Sequence, residues 1–293
     1  MNSPANHLWG GGRSAMIRLG LLLAVFGGIS GCAALIVRPV LAPLSFSLQR
    51  QTDLELVRSG LPSFLLMIDG LILANPHDRQ LLISGVQAYV FYAAVQFEDG
   101  AAARAAVVSE KARDYGQDLL RRLCGDELPR RLADLADCLQ RVDQKDVAAL
   151  FWGGYGWASW LGYQDGAPAA LADLPRVEQI MQRVLALDEA FYHGAAHLFL
   201  GAYYAARPPM LGGQPEQSRQ HFERALVLGQ RRFLPAQVLY AETYARLTAD
   251  RPLFERLLRE VLAQPLPADE LASTNKLAKA RAGRLLDRID DYF

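Results

Sequence analysis

Apolar residues recur at three- and four-residue spacing along most of the chain, and no stretch alternates with period two for long enough to make a strand. Phe64, Leu65, Ile68, Leu71 and Ile72 mark one helix, with Pro62 as its first helical residue and Asn75-Pro76 ending it. Leu81, Leu82, Val86, Tyr89, Val90, Ala93 and Phe97 mark a second over 78–97, and the two form a hairpin. The same pattern predicts helices near 101–124, 129–141, 144–163, 174–188, 190–206, 215–229, 234–248, 251–263 and 269–291. Breakers separate them at Gly125, Gly166 with Pro168, Pro208-Pro209, Gly212-Gly213 and Pro265 with Pro267. The fold class this predicts is all-α.

The helices also repeat. A shift of 41 positions lays Arg183-Val184-Leu185-Ala186-Leu187 over Arg224-Ala225-Leu226-Val227-Leu228, Leu198 over Leu239 and Tyr203 over Tyr244; a further shift of 36 brings in Val261-Leu262. Uniform helix pairs bury their apolar faces only by stacking, so the expected architecture is TPR-like helical-hairpin repeats in a curved solenoid with extra helices. Such a stack offers a concave groove, a surface that suits binding better than catalysis.

The N-terminal residues follow a different logic. Leu19 to Ile29 is too short to span a bilayer and has the length of a secretory-signal core, with Arg18 as its positive flank. Ile29-Ser30-Gly31-Cys32 ends it in the manner of a bacterial lipobox, which makes residues 1–31 a lipoprotein signal peptide and Cys32 the acylated first mature residue. Met16 opens a more typical leader than Met1. Residues 32–49, with Pro39 and Pro43, read as a lipidated tether, and residues 50–293 as a single repeat domain. After Leu41 no run of about 18 apolar residues is free of charge, so the lipid alone is expected to hold the body to a membrane. Ala33 in place of an aspartate leans the anchored protein towards the outer membrane.

Charge narrows the partners. The chain has 31 basic and 31 acidic residues, and loss of the leader removes Arg13 and Arg18 only. That balance gives no basic face for displacing counterions from nucleic acid. Export would carry Cys124 and Cys138 into an oxidising compartment where a disulfide can form. Placing Cys138 about nine residues into a helix that starts at 129 separates the two along the axis, so buried free thiols are the simpler expectation.

Candidate chemistry is sparse. Phe151 to Trp160, continuing to Tyr163, is the densest aromatic stretch. At 100° per residue Trp152, Tyr155, Ser159 and Tyr163 share one side, whereas Trp157, Trp160 and Leu161 point elsewhere. The stretch reads as a core helix, or as the wall of an apolar cleft for a ligand or partner built from Trp152, Tyr155, Trp157, Trp160, His197 and Tyr203. Its glycines would let neighbouring helices approach closely. His193, His197 and Glu189 share helical spacing that suits zinc, but the protease pattern is absent and His77 and His221 fall in distant repeats, so a structural His197 is expected. Gly10-Gly11-Gly12 precedes the leader, no serine lies in a hydrolase elbow, and Asp287, Asp290 and Asp291 read as a solvated face. No catalytic residue, metal or cofactor is expected.

Gly60-Leu61-Pro62-Ser63, Ile68-Asp69-Gly70-Leu71, Asn75-Pro76, Arg104 with Lys111-Ala112-Arg113-Asp114-Tyr115-Gly116, Ala149-Leu150-Phe151-Trp152 with Trp157, Gly194-Ala195-Ala196-His197, Ala278-Lys279-Ala280-Arg281-Ala282 with Leu285-Leu286, and Asp291-Tyr292-Phe293 together resemble the TatT family, from about Cys32 to Phe293. These are the tetratricopeptide-like lipoproteins associated with tripartite ATP-independent periplasmic (TRAP) transporters. The resemblance implies a periplasm-facing, non-enzymatic lipoprotein that works beside a solute-binding protein and a membrane permease. It also implies self-association and the handling of a small, apolar ligand. Gln164-Asp165 departs from the family habit of a lysine after the tryptophan helix. A cell-envelope scaffold that binds proteins through its groove, without a transported ligand, is the alternative reading of the repeats; a metal-dependent hydrolase using His193 and His197 is a third.

Overall fold

A computed structural model describes residues 43–206 and 213–293. The leader, Cys32, most of the tether, and the breakers Pro208-Pro209 and Gly212 lie outside the described residues. The chain divides into two units, Met1–Ser47 and Leu48–Phe293. Of the first, only residues 43–47 are described, and residues 43–50 are helical, including the end of the segment expected as a tether.

The α-helices of six residues or more in the second unit are α1 Leu54–Ala74, α2 Arg79–Glu98, α3 Ala102–Cys124, α4 Leu132–Gln140, α5 Val147–Gly162, α6 Leu174–Leu187, α7 Phe191–Ala205, α8 Pro215–Leu228, α9 Pro235–Tyr240, α10 Arg251–Ala263 and α11 Ala272–Asp287. There is no strand among the described residues. The carboxylate of Asp53 caps α1 by accepting from Glu55 N (2.9 Å) and Leu56 N (3.2 Å), and Asp78 does the same for α2 through Gln80 N and Leu81 N.

Pro62 was expected at the first helical position and instead lies inside α1. The Asp53 cap starts the helix earlier, and Val57 and Leu61 extend its buried stripe through Phe64, Leu65, Ile68 and Ile72. Pro62 is on the exposed face, where a missing backbone bond is least costly because water can replace it. By length and composition α1 is apolar enough to cross a membrane. Leu56, Leu66, Met67 and Leu73 are exposed along it, and Ser59, Gly60, Ser63 and Gly70 fill the same uncharged face.

Three helices recur at the spacing read from sequence, whereas a TPR-like curved solenoid is not established by them. α6 and α8 each have 14 residues and a proline in the first turn, and their starts at Leu174 and Pro215 differ by the shift read from sequence. Val177, Met181 and Val184 of α6, Ser218, Phe222 and Ala225 of α8, and Phe254, Leu258 and Val261 of α10 occupy matching positions, and all are buried. Successive helices pack on one another except at α4, which packs on α3 and α6 while α5 packs on α3. The last then returns to the first hairpin, so the stack closes on itself. Glu98 at the end of α2 accepts from Arg281 Nη1 of α11 (3.1 Å) and pairs with Arg284, while Ser273 Oγ donates to the Gln49 carbonyl (3.0 Å).

α3 and α5 pack backbone against backbone. A Cβ on Gly116 would lie 2.7 Å from the Gly153 carbonyl oxygen, and one on Gly156 would run into the Ala112 carbonyl. The glycines of the tryptophan helix therefore permit backbone contact, as their positions suggested. Asp69, an acid in the apolar α1, accepts from Tyr89 of α2 (2.8 Å) and Tyr115 of α3 (2.6 Å), which ties three helices to one carboxylate.

Free thiols at Cys124 and Cys138 are not what the structure has: the two form a disulfide with Cα atoms 5.4 Å apart. α4 begins at Leu132, later than expected, and the intervening residues 125–131 let it turn back alongside the end of α3. Cys138 thereby lies beside Cys124 instead of displaced along an axis.

Candidate functional site

The tryptophan helix α5 builds one wall of an aromatic cluster. Phe151 and Trp152 are buried, and Tyr155 stacks on Phe151 with ring centres 5.3 Å apart and meets Trp152 edge-on at 5.6 Å. Tyr192, at the start of α7, reaches Trp152 at 4.7 Å, Phe151 at 5.5 Å and Phe233 at 5.7 Å. Two turns beyond Tyr155, Tyr163 caps the end of α5 and lies 5.5 Å from Phe97 of α2. The Arg281 guanidinium rests 4.8 Å above Phe97 and is held by Glu98 and Glu242. Glu242 belongs to a π-helical turn, Ala241–Ala245, that continues α9. Such turns insert a residue into a helix and occur often at functional sites.

Tyr192 is placed by an unusual backbone. Tyr192, His193 and Gly194 take φ of 47°, 61° and 74°, three successive left-handed residues ahead of the regular part of α7. For the two non-glycine residues this costs roughly 1–2 kcal/mol each. Gly194 suits it for two reasons, since it bears no Cβ to oppose positive φ and none to strike Leu228, 2.9 Å from where a Cβ would lie. Packing of Tyr192 among Phe151, Trp152 and Phe233 holds the turn in place.

The three phenols share a property. Burial raises each hydroxyl well above its ordinary titration range. For Tyr155 burial is the whole cause; for Tyr163 and Tyr192 it comes first, followed by the neighbouring Tyr155 charge. All three therefore remain protonated donors at any physiological pH. Each keeps some accessible surface, and none has a hydrogen-bonding partner among the described residues.

The remaining sequence candidates lie elsewhere. Trp157 is buried, with its indole N–H on Asp173 (3.2 Å) and the Arg176 guanidinium over its ring at 5.1 Å. Trp160 lies under Arg113 at 4.6 Å. Tyr203 stacks on Phe199, one turn earlier on α7, at 6.1 Å. Of the six residues read as a cleft, Trp152 and Tyr155 come together; Trp157, Trp160, His197 and Tyr203 do not join them.

His197 belongs to a second, polar cluster. Its Nε2 lies 3.1 Å from Glu189 and its Nδ1 lies 2.7 Å from Nδ1 of His221, which the sequence had assigned to a distant repeat. α7 and α8 are adjacent, and that adjacency brings the pair together. Arg224 grips Glu189 with two nitrogens and, ahead of His197, holds its carboxyl down to about 2. A neutral imidazole has one N–H, so His197 donates from Nε2 to Glu189 and accepts at Nδ1 from His221. His193 is not part of this: its ring stacks on Phe233 at 5.4 Å. Among the described residues no group of three or more His, Cys, Asp or Glu side chains is arranged to hold a metal.

A family model described as TRAP transporter T-component matches residues 50–293. The chain belongs to that family. A protein of Treponema pallidum (strain Nichols), described as an uncharacterized protein, is 24% identical over 269 residues, covering 83% of this chain and 81% of that protein. As a T-component the protein is an accessory of a TRAP transport system, which works at the cell envelope. Sequence reasoning missed Tyr192, Phe233 and His221. A left-handed turn has no helical period to betray it, and the partners of His221 are decided by which helices adjoin.

Proposed function

We propose that this T-component is a non-catalytic, lipid-anchored, periplasm-facing protein that docks the solute-binding protein of a TRAP transporter and holds a small apolar ligand between Phe151, Trp152, Tyr155, Tyr163 and Tyr192. The observation that carries the ligand half is the set of half-buried phenols in an aromatic surround, none of them with a protein partner. Acylation at Cys32 would supply the anchor, with Ala33 favouring the outer membrane.

The docking half draws on α1. Its outer face runs from Leu56 to Leu73 without an exposed charge, and contiguous apolar surface of this kind marks interaction sites. We place the solute-binding protein there. Pull-down with tagged protein tests it: a solute-binding protein encoded beside this gene should be retained by the native chain and lost with Leu66→Asp. Failure to retain any such receptor would overturn the docking reading. Native mass spectrometry of the purified protein tests the ligand half, a retained small molecule being the expected result.

A further inference from the structure

Resting on the docking reading above, the geometry points to the chemistry of what covers α1: a receptor surface that brings an acidic side chain to Lys111 of α3, at the edge of the apolar face. Asp69 links the two helices. On α1 it stands three residues after Leu66 and four before Leu73, the spacing of neighbours on a helix surface, and those leucines are 75% and 83% exposed. Lys111 Nζ lies 3.9 Å from the Asp69 carboxylate and 5.2 Å from the centre of the Tyr115 ring, so the cation borders that face. Val107, one turn before Lys111, is also exposed and carries the apolar strip onto α3.

Lys111 is drawn to Asp69 without being hydrogen-bonded by it. Each carboxylate oxygen already accepts a phenol, Oδ2 from Tyr89 at 2.8 Å and Oδ1 from Tyr115 at 2.6 Å. At 3.9 Å the ammonium is beyond hydrogen-bonding distance, and its three N–H groups meet no acceptor among the described residues. Arg104, two turns earlier on the same side of α3, adds a second positive charge, felt at the Tyr89 hydroxyl, and has no acidic partner among the described residues. Water serves these donors while the face is open. A partner that covers Leu66, Leu73 and Val107 strips that water from Lys111, and a desolvated ammonium without a hydrogen-bonded counter-charge is unfavourable. A carboxylate on the partner removes the penalty, whereas an apolar or basic patch does not. Because two phenols from α2 and α3 fix Asp69, the cation is presented from a rigid surface.

The test is the kinetics with which a purified solute-binding protein encoded beside this gene binds the immobilised chain at low and at high salt. The native chain should bind more tightly at low salt. Lys111→Gln, which changes an exposed side chain and keeps both phenol bonds to Asp69, should weaken binding about tenfold, chiefly by slowing association, and should reduce the salt dependence. Lys145→Gln makes the same charge change at an exposed lysine in the turn before α5 and should leave binding as it was. Native affinity and salt dependence in Lys111→Gln, with binding lost in Leu66→Asp, would overturn the acidic contact and leave the docking reading standing. Equal weakening by Lys111→Gln and Lys145→Gln would trace the effect to net charge and overturn the contact too. Absence of binding by the native chain would remove the docking reading and this inference with it. So would an oligomer in sedimentation that Leu66→Asp reduces to a monomer without any receptor bound, which gives the face to a second copy.

Discussion

The Nδ1 atoms of His197 and His221 lie 2.7 Å apart across the interface of α7 and α8. One proton between them suits this distance, and two do not. Burial, and then the charge of His197, push His221 down to about 4, and burial also lowers His197 against the pull of Glu189. An imidazole in the unfolded chain titrates near ~6.5, so the unfolded state binds more protons between about pH 4 and 6.5. Stability from this pair is therefore complete above pH ~6.5 and declines as pH falls toward 4. Glu189, lowered from 4.5 to about 2 on folding, adds to the loss as pH falls from about 4.5 towards 2. Melting temperature measured from pH 7.5 to 4.5 should fall, and His221→Asn should flatten that slope. An unchanged slope in the variant would assign the acid sensitivity elsewhere.

Gly156 faces the Ala112 carbonyl with no room for a methyl group. Gly156→Ala should destabilise by about 1–3 kcal/mol, the range for overpacking between rigid elements. Gly283 lies inside α11 with nothing within 4 Å of its Cβ position, so Gly283→Ala should stabilise by up to about 1 kcal/mol through helix propensity. Urea midpoints of the two variants should move in opposite directions.

Reduction of Cys124–Cys138 opens a loop with a sequence separation of 14. Loop-closure entropy for a loop of this size corresponds to roughly 3 kcal/mol. The protein with both cysteines changed to serine should melt at a lower temperature, and the native protein should melt lower in reducing agent. Thiol titration of the unreduced, unfolded chain should find neither cysteine reactive; two reactive thiols would refute the bridge.

Glu98 accepts Arg281 and Arg284 of α11 with its side chain only 9% exposed. Glu98→Gln leaves Arg284 partly buried without its counter-charge and Arg281 with Glu242 alone, and a loss of about 1–3 kcal/mol is expected. Glu55→Gln removes an exposed partner of Arg58 at 3.4 Å, and its effect should stay within about 0.5 kcal/mol. Comparable losses in both variants would mean that closure of α11 on α2 contributes little.

By itself the sequence determined the all-helical class and the place of most helices. The 41-residue shift predicted that α6 and α8 are equivalent, and Val184, Ala225 and Val261 are buried alike, because helical periodicity is local and each repeat must bury the same face. The helical wheel put Trp152 and Tyr155 on one side and Trp157 and Trp160 elsewhere, but the cleft read from sequence still joined all four with His197 and Tyr203, because a wheel does not say which neighbouring helix each side meets. Pro62 misled because the rule against proline inside a helix gives way where the lost bond faces water. The tertiary structure alone decided what crosses between helices: Cys138 beside Cys124, His221 beside His197, Tyr192 aimed by a left-handed turn, and Arg281 returned to Glu98. Those pairings depend on loop lengths and on the direction in which each helix re-enters the stack, and neither quantity has a period that a linear pattern can carry.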